Sequence, residues 1–261
     1  MELRPLSSLA DGEAILRVMI ATWGEHQLVP REMLRALADS GNVPYGAFAG
    51  EELVGYVLGW AGVDDRDGMH VHSHMLATLP QRRHAGVGYA LKLAQRAQAL
   101  DQGLRVVRWT FDPLVARNAY FNLHKLGAVA DRFERDFYGD MTDALNRGHR
   151  SDRFFARWAV EDSPGPRSVA IPGDATVLRR GAGEHPERVG DVGDGVAVVE
   201  IPPDHASVLS SDSGLASEWR DPVAEAVEAC LSRGLVAVDF DRDRCAYLFG
   251  GSPGLAARTE T

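Results

Sequence analysis

The chain has 261 residues, of which 45% are hydrophobic and 25% charged, and its mean hydropathy is −0.19. These values are typical of one or two globular domains and exclude a disordered, collagenous or fibrous protein. The net charge of −9 argues against a surface that follows nucleic-acid phosphates and favours a cationic small molecule or peptide as partner.

No signal-peptide pattern stands near the start, and no apolar run reaches about 18 residues, so we expect neither export nor membrane insertion. The two cysteines, Cys230 and Cys245, lie in a chain too large to need disulfide bonds for stability. We expect free thiols in a reducing cytoplasm.

Alternating strand and helix patterns run through the first 160 residues, which we assign to one ordered domain. The patterns are those of a strand, two helices, a hairpin, a strand, a helix, a strand, a helix and a final strand, at residues 2–5, 9–23, 31–38, 43–62, 69–80, 87–100, 104–111, 116–126 and 154–160.

The remaining residues have a different character. Residues 161–195 are rich in proline, glycine and charge without an apolar period, which predicts a linker or an irregular wrapping segment. Residues 196–250 predict a small strand, helix, strand unit whose helix is capped by Asp221, and 251–261 a flexible tail. About 55 residues barely bury a core alone, so we expect this unit to pack on the first domain or on a second copy in a homodimer.

Two glycines, Gly86 and Gly88, stand between a predicted strand and an amphipathic helix. The first N–H groups of a helix have no partner within it, and the helix dipole favours an anion, so this position suits a pyrophosphate. A plain glycine turn beside a solvated basic cluster is the alternative. Tyr89 follows where a Walker loop needs lysine, and Leu91 stands where a dinucleotide loop needs a third small residue, so neither of those loops fits.

The pattern that remains, Arg83-x-x-Gly86-x-Gly88 after Pro80, resembles the coenzyme A loop of the GNAT acetyltransferase superfamily. The resemblance covers about the first 160 residues in the family's order of elements, and the late helix closes in Lys125-Leu126-Gly127 as expected. The segments HSHMLA, WTFDPL and FNLHKLG are more similar to a poorly characterised bacterial branch with a C-terminal extension. The extension has no second loop, and we assign no acetyl-CoA to it.

The resemblance implies an α/β (α+β) class with the GNAT fold, in which helices flank a central mixed, mostly antiparallel, splayed sheet. It also implies acetyl-CoA or another acyl-CoA as co-substrate and no metal. In this family, unpaired amides of the strand before the loop bind the pantetheine arm and polarise the thioester carbonyl, here near Ala77. The cofactor-binding residues implied are Leu76, Ala77, Thr78, Arg83, His84, Ala85, Gly86, Val87, Gly88, Tyr89 and Asn118.

Three histidines, His70, His72 and His74, alternate along one strand and therefore project to one face. Imidazoles accept a proton near neutral pH. His72 and His74 resemble the pair that relays the substrate proton in arylalkylamine N-acetyltransferases. Two alternatives stay open: histidines that are hydrogen-bonded within the sheet, and a metal bound by the trio.

The family's usual general acid is a tyrosine four residues before the glycine that ends the late helix, and that position is Leu123 here. Tyr120 or His124 could replace it, and we take Tyr120 as the candidate, with a packed aromatic as the alternative. Water is a further proton donor.

Acidic residues are candidates for contact with a cationic acceptor. Asp112 ends a strand where the family's sheet splays, with a turn cap as its alternative role. Glu25 and His26 lie in the loop that commonly walls the acceptor pocket in this family, with plain solvent exposure as the alternative.

The sequence thus predicts an N-acyltransferase that moves acetyl from acetyl-CoA to a primary amine on a small molecule or peptide, with no nucleic-acid or membrane partner. A non-catalytic acyl-CoA-binding module for regulation or assembly is the alternative, supported by Leu123. Transfer of a longer acyl group such as succinyl to an amino acid also remains open.

Overall fold

The computed structural model describes residues 1–25, 28–82, 85–139, 150–162, 165–166, 175–193 and 195–251. The chain divides into two compact units. The first takes in residues 1–109 and 159–162, and the second takes in the described residues of 110–158 and 163–251. The domain boundaries at 160 and 195 stay predictions.

The first unit is a five-stranded sheet with three helices, in the order that the sequence predicts. Its strands pair in the order β1-β2-β3-β4-β5, antiparallel except for the parallel pair β4 and β5. The elements are β1 (Glu2–Pro5), α1 (Leu9–Trp23), α2 (Arg31–Asp39), β2 (Tyr45–Ala49), β3 (Glu52–Asp64), β4 (Gly68–Thr78), α3 (Val87–Asp101) and β5 (Val106–Phe111).

One face of this sheet is covered by apolar side chains of α1. Ile15 and Met19 are buried with Tyr56 and Leu58 of β3 in one hydrophobic cluster. Gly55 and Gly59 of β3 point their missing Cβ atoms at α3, which places α3 on the opposite face. The sheet therefore has helices on both faces, which is the predicted mixed α/β arrangement.

The second unit is a mostly antiparallel sheet in the order β7-β6-β11-β12-β10-β8-β9, in which only β8 and β10 are parallel. Its strands are β6 (Val129–Glu134), β7 (Arg153–Ala159), β8 (Thr176–Arg180), β9 (Pro186–Arg188), β10 (Val196–Glu200), β11 (Leu235–Asp241) and β12 (Ala246–Gly251). Its helices are α4 (Ala116–Ala119), continued by a π-helix (Tyr120–Lys125), α5 (His205–Ser211), α6 (Ser213–Glu218) and α7 (Arg220–Ser232).

Three local expectations differ from the structure. The helix predicted over 116–126 widens into a π-helix, in which Leu126 N–H donates to Phe121 O. Residues 161–195, expected to be irregular, contain β8 and β9. The two buried apolar residues of β8, Val177 and Leu178, are too few to show a period. Asp221 does not cap α7, because the helix begins at Arg220 and Asp221 lies within its first turn. Arg150 donates to the Asp221 carboxylate at 2.7 Å.

The start of α1 is fixed by a capping box. Ser8 Oγ accepts from Asp11 N–H, and Asp11 Oδ2 accepts from Ser8 N–H at 2.9 Å. Arg4 donates to Asp11 Oδ1 at 2.8 Å. Burial alone would raise the pKa of Asp11, but the hydrogen bonds from Arg4 and Ser8 outweigh it and lower the pKa to about 2.

Because the folded pKa of Asp11 lies below its unfolded value, its ionised form stabilises the fold above about pH 4. We expect Asp11→Asn to lower the free energy of unfolding by about 2 kcal/mol at pH 7. This difference should shrink as the pH falls toward 2. Urea unfolding of both proteins at several pH values measures it, and Glu13→Gln, on the exposed side of α1, is the control. A loss that does not change with pH would contradict this account.

Candidate functional site

The two neighbours of β4 pair with it over very different lengths. β3 pairs with β4 from Gly68 to Thr78, whereas β5 pairs with it only at Val71 and His72. The edge of β4 that faces away from β3 therefore carries no ladder with β5 beyond His72. This is the splay that the family resemblance implies, and it opens toward the glycine loop.

The strand pairing determines which amides point to that free edge. Leu79 N–H donates to Val54 O of β3 at 2.9 Å. Alternate residues of a strand direct their N–H groups to the same neighbour, so the amide of Ala77 also faces β3. The amides of Leu76 and Thr78 point to the free edge, and both residues are half-buried.

The glycine loop ends at the N-terminus of α3. Gly86 occupies the N-cap position with φ of 76° in the left-handed region, and among the described residues no side chain caps this end of the helix. Ala85 and Gly86 are exposed, whereas the Val87 side chain lies in the core and leaves only its backbone for a ligand. Gly88 and Tyr89 occupy the same first turn. Arg83 and His84 lie outside the described residues.

The histidine strand contains a β-bulge. Leu58 pairs with Met75 and Gly59 with Ser73, so His74 has no partner of its own on β3. The His72 and His74 rings both pack against Trp60, with ring centroids 5.0 and 4.8 Å from it. The expectation that the two rings share a face holds. After the bulge, the side chains of β4 point to the opposite face from the one that strict alternation predicts.

The surroundings of His72 favour the neutral imidazole. Burial is the main cause, and the positive charges of His74, His70, Lys92 and Arg108 act in the same direction, so that the pKa of His72 falls to about 4. Protein atoms also displace water around His74 and lower its pKa, although more than a third of that residue is exposed. Both imidazoles are therefore in the neutral form at neutral pH.

His70 differs from its two neighbours. It is 7% exposed, and its Nδ1 lies 3.0 Å from Gly68 O. This contact within the hairpin matches the structural role that the sequence left open. In the described residues no group of three His, Cys, Asp or Glu side chains is placed to hold a metal ion.

Lys92 of α3 is a residue that the sequence analysis did not single out. Its side chain is 2% exposed, and its amino group donates to Ser73 Oγ at 2.7 Å and to Gln95 Oε1 at 3.0 Å. The same nitrogen lies 3.9 Å from the ring centroid of Trp109. Burial lowers the pKa of Lys92 to about 7. The only hint in the sequence is that the chain has two lysines, Lys92 and Lys125, against 26 arginines.

Lys92 also marks the place where β4 and β5 part. Ser73 and Trp109 each follow the last residue of their strand in the β4–β5 ladder, which ends at His72 and Arg108. The amino group contacts both, so it lies at the apex of the splay, on the face of the sheet that carries α3.

Three other predicted site residues lie in the second unit. Tyr120 is half-buried and stacks on His124 at 4.7 Å, while Asn118 is exposed. Asp112 accepts two hydrogen bonds from Arg220 at 2.8 and 2.9 Å and one from Leu114 N–H. The turn contact expected as the alternative role of Asp112 is thus present, and its carboxylate already has a cationic partner.

The last two predicted site residues follow α1. Glu25 is exposed in the turn after this helix. His26 lies outside the described residues.

No helix in the described part of the chain is both long and apolar enough to cross a membrane.

Residues 13–127 match the Acetyltransferase (GNAT) family. Naa20 from Chaetomium thermophilum, solved with a bisubstrate analogue, is 17% identical to this chain. The match covers 62% of this chain and 87% of the Naa20 chain, with a TM-score of 0.50. A ribosomal-protein-alanine N-acetyltransferase from Brucella melitensis is 18% identical to this chain. The match covers 61% of this chain and 99% of the Brucella chain, also with a TM-score of 0.50. At these identities the likeness shows the fold. No curated protein matches the sequence.

Burial of the Lys92 amine leads to a prediction about stability. Its folded pKa lies below the unfolded value, so the cost of burial is complete below about pH 7 and shrinks as the pH rises toward 10. We expect Lys92→Met, which keeps a long apolar side chain, to raise the free energy of unfolding by about 1–4 kcal/mol at pH 6. The gain should be smaller at pH 9. Denaturant unfolding at both values measures it, and a loss of stability at pH 6 would refute it.

Proposed function

Since residues 13–127 form a domain of the Acetyltransferase (GNAT) family of transferase enzymes, we propose that the protein transfers acetyl from acetyl-CoA to a primary amine. One observation carries the proposal. The uncapped, glycine-led N-terminus of α3 follows directly on β4, whose free edge presents the amides of Leu76 and Thr78. An acyl-CoA needs both a pyrophosphate site and polar partners for its amide-containing arm.

The helix terminus suits the pyrophosphate for two physical reasons. The first N–H groups of a helix have no intrahelical partner, and the dipole of the 15-residue α3 places partial positive charge there. An added Cβ at the exposed Gly86 would meet no atom of the described residues within 4 Å, which leaves the backbone open to phosphate oxygens. Ala85 and the first-turn residues Val87, Gly88 and Tyr89 would contribute backbone donors. Arg83 and His84 remain predicted contacts.

The proposed reaction is a direct transfer. The amine nitrogen attacks the thioester carbonyl carbon, the new C–N bond forms, and the C–S bond breaks. An N–H group of the free β4 edge, near Ala77, stabilises the charge that develops on the carbonyl oxygen. The proton released by the amine passes to His72 or His74, and the departing thiolate takes a proton from Tyr120 or water.

The lowered pKa values of the two histidines support this assignment, because a base must be unprotonated when the amine binds. The rings are held by Trp60, which restricts their orientation. Glu25, exposed beside the first helix pair, is the candidate that would attract a cationic acceptor. We do not extend that role to Asp112, whose carboxylate is bound to Arg220.

The coenzyme site can be tested with two glycines at opposite ends of the same helix. Gly86 and Gly103 both have positive φ, 76° and 72°, and open space where a Cβ would stand. An L-residue is strained at either position, by about 1 kcal/mol. We expect Gly86→Ala to weaken acetyl-CoA binding at least about tenfold and Gly103→Ala to leave it unchanged.

The measurement is the thermal midpoint with acetyl-CoA, succinyl-CoA and free coenzyme A, because a ligand that binds only the folded state raises it. The acyl-CoA that gives the larger shift identifies the preferred acyl group. The absence of any shift in the unaltered protein at saturating ligand would contradict the coenzyme site.

The proton relay makes a separate prediction. We expect His72→Ala with His74→Ala to lower kcat/KM about 100-fold or more, the usual contribution of a general base. Because the pKa of His72 falls to about 4, a rate that depends on its neutral ring should decline only as the pH approaches that value. The pH profile of the double variant should lack this decline, while acetyl-CoA still raises the thermal midpoint of the variant.

Release of free thiol from acetyl-CoA in the presence of amines measures this rate. His185→Ala, an exposed histidine of the second unit, is the control. An unchanged pH profile in the double variant would remove the relay from the mechanism. Binding of acyl-CoA without thiol release for any amine would favour the non-catalytic binding module.

A further inference from the structure

Lys92 is a buried titratable residue that the proposed reaction does not use. In the described residues its amino group contacts only neutral partners: a hydroxyl, an amide oxygen and an indole ring. Burial of an amine without a carboxylate is costly. The residues nearest to that amine indicate what it does.

The hydroxyl that Lys92 binds belongs to the bulged segment of β4. Ser73 stands between His72 and His74, is 4% exposed, and points to the face that carries α3. The two histidine rings lie on the other face, against Trp60. A bulge interrupts the strand ladder, so His74 lacks the pairing that would otherwise hold its backbone. Ser73 is the residue through which side-chain packing can hold this stretch.

We propose that Lys92 is a positioning residue that anchors the bulged segment His72–His74 from the opposite face of the sheet, through its hydrogen bond to Ser73. A hydrogen bond from an amine in a dry site is strong and directional. It holds the backbone of Ser73 toward α3, and the neighbouring histidines are thereby directed to the side of Trp60. This inference rests on the proposed function, because Lys92 would orient histidines that are catalytic only in that reaction.

The choice of lysine over arginine agrees with this role. The chain uses arginine at 26 of its 28 basic positions, and Arg108 and Arg153 are buried as well, yet the residue that binds Ser73 is lysine. The single amino group of lysine fits between one hydroxyl, one amide oxygen and one ring, and it can lose its proton. Arginine carries five donors in a larger planar group that remains charged, whereas among the described residues two acceptor atoms contact the Lys92 amine.

Kinetics of Lys92→Met and Ser73→Ala, alone and combined, test the anchor. Each single variant should lower kcat about tenfold or more, because small displacements of catalytic groups are costly, while KM for acetyl-CoA changes less than about twofold. The double variant should be no slower than the slower single variant, since both remove one interaction. Gln98→Met, which removes another side-chain hydrogen bond of α3, to Val43 O, is the matched control.

Two further readouts separate positioning from a general structural role. Lys92→Met should be at least as stable as the unaltered protein, so reduced activity cannot be ascribed to unfolding. In the ligand-free protein, the ring-proton NMR signals of His72 and His74, which lie beside the Trp60 indole, should move in Lys92→Met and Ser73→Ala but not in Gln98→Met.

This NMR measurement needs neither acyl-CoA nor an acceptor, so it stands even if the proposed reaction fails. Unmoved histidine signals with unchanged kcat in a folded Lys92→Met protein would overturn the anchor. Losses of kcat that simply multiply in the double variant would also overturn it.

Discussion

The unequal pairing of β4 is the constraint on which the rest of the first unit depends. A strand that is paired on one edge and open on the other presents a row of backbone donors and acceptors that must find partners. Here β3 satisfies one edge from Gly68 to Thr78, and β5 leaves the other after His72. The amides of Leu76 and Thr78 thereby point away from β3, at a position fixed by a long antiparallel hairpin.

Electrostatics divides the two faces of this strand. On one face, Trp60 and the surrounding protein exclude water from His72 and lower its pKa to about 4. On the other, burial lowers the pKa of Lys92 to about 7. Positive charge near one group discourages protonation of the other, and Arg108 on β5 adds to this effect at His72. Burial and these positive charges together hold His72 in its neutral form.

Much of the first unit could be predicted from the sequence because each element carries its own local pattern. The apolar period of α3, the turn residues before it and the glycines at Gly86 and Gly103 agree with one another, and the helix appears within one residue of its predicted end. The glycine loop is predicted by its resemblance to the coenzyme A loop of the GNAT superfamily, on the pattern from Arg83 to Gly88. The bulge at His74 was not, because strict alternation from His70 to Leu76 is what an undisturbed strand would show as well.

The missed features share a physical cause, which is that their determinants are distant in sequence. Lys92 reads as one polar position on an amphipathic helix, and only the approach of Ser73 and Trp109 shows that it is buried. β8 is a strand because it pairs with β10, about 20 residues later, and not because its own residues show a period. A lysine that contacts both β4 and β5 where they part is therefore a property of the folded sheet, and it links the opening of the sheet to the orientation of the histidines beside that opening.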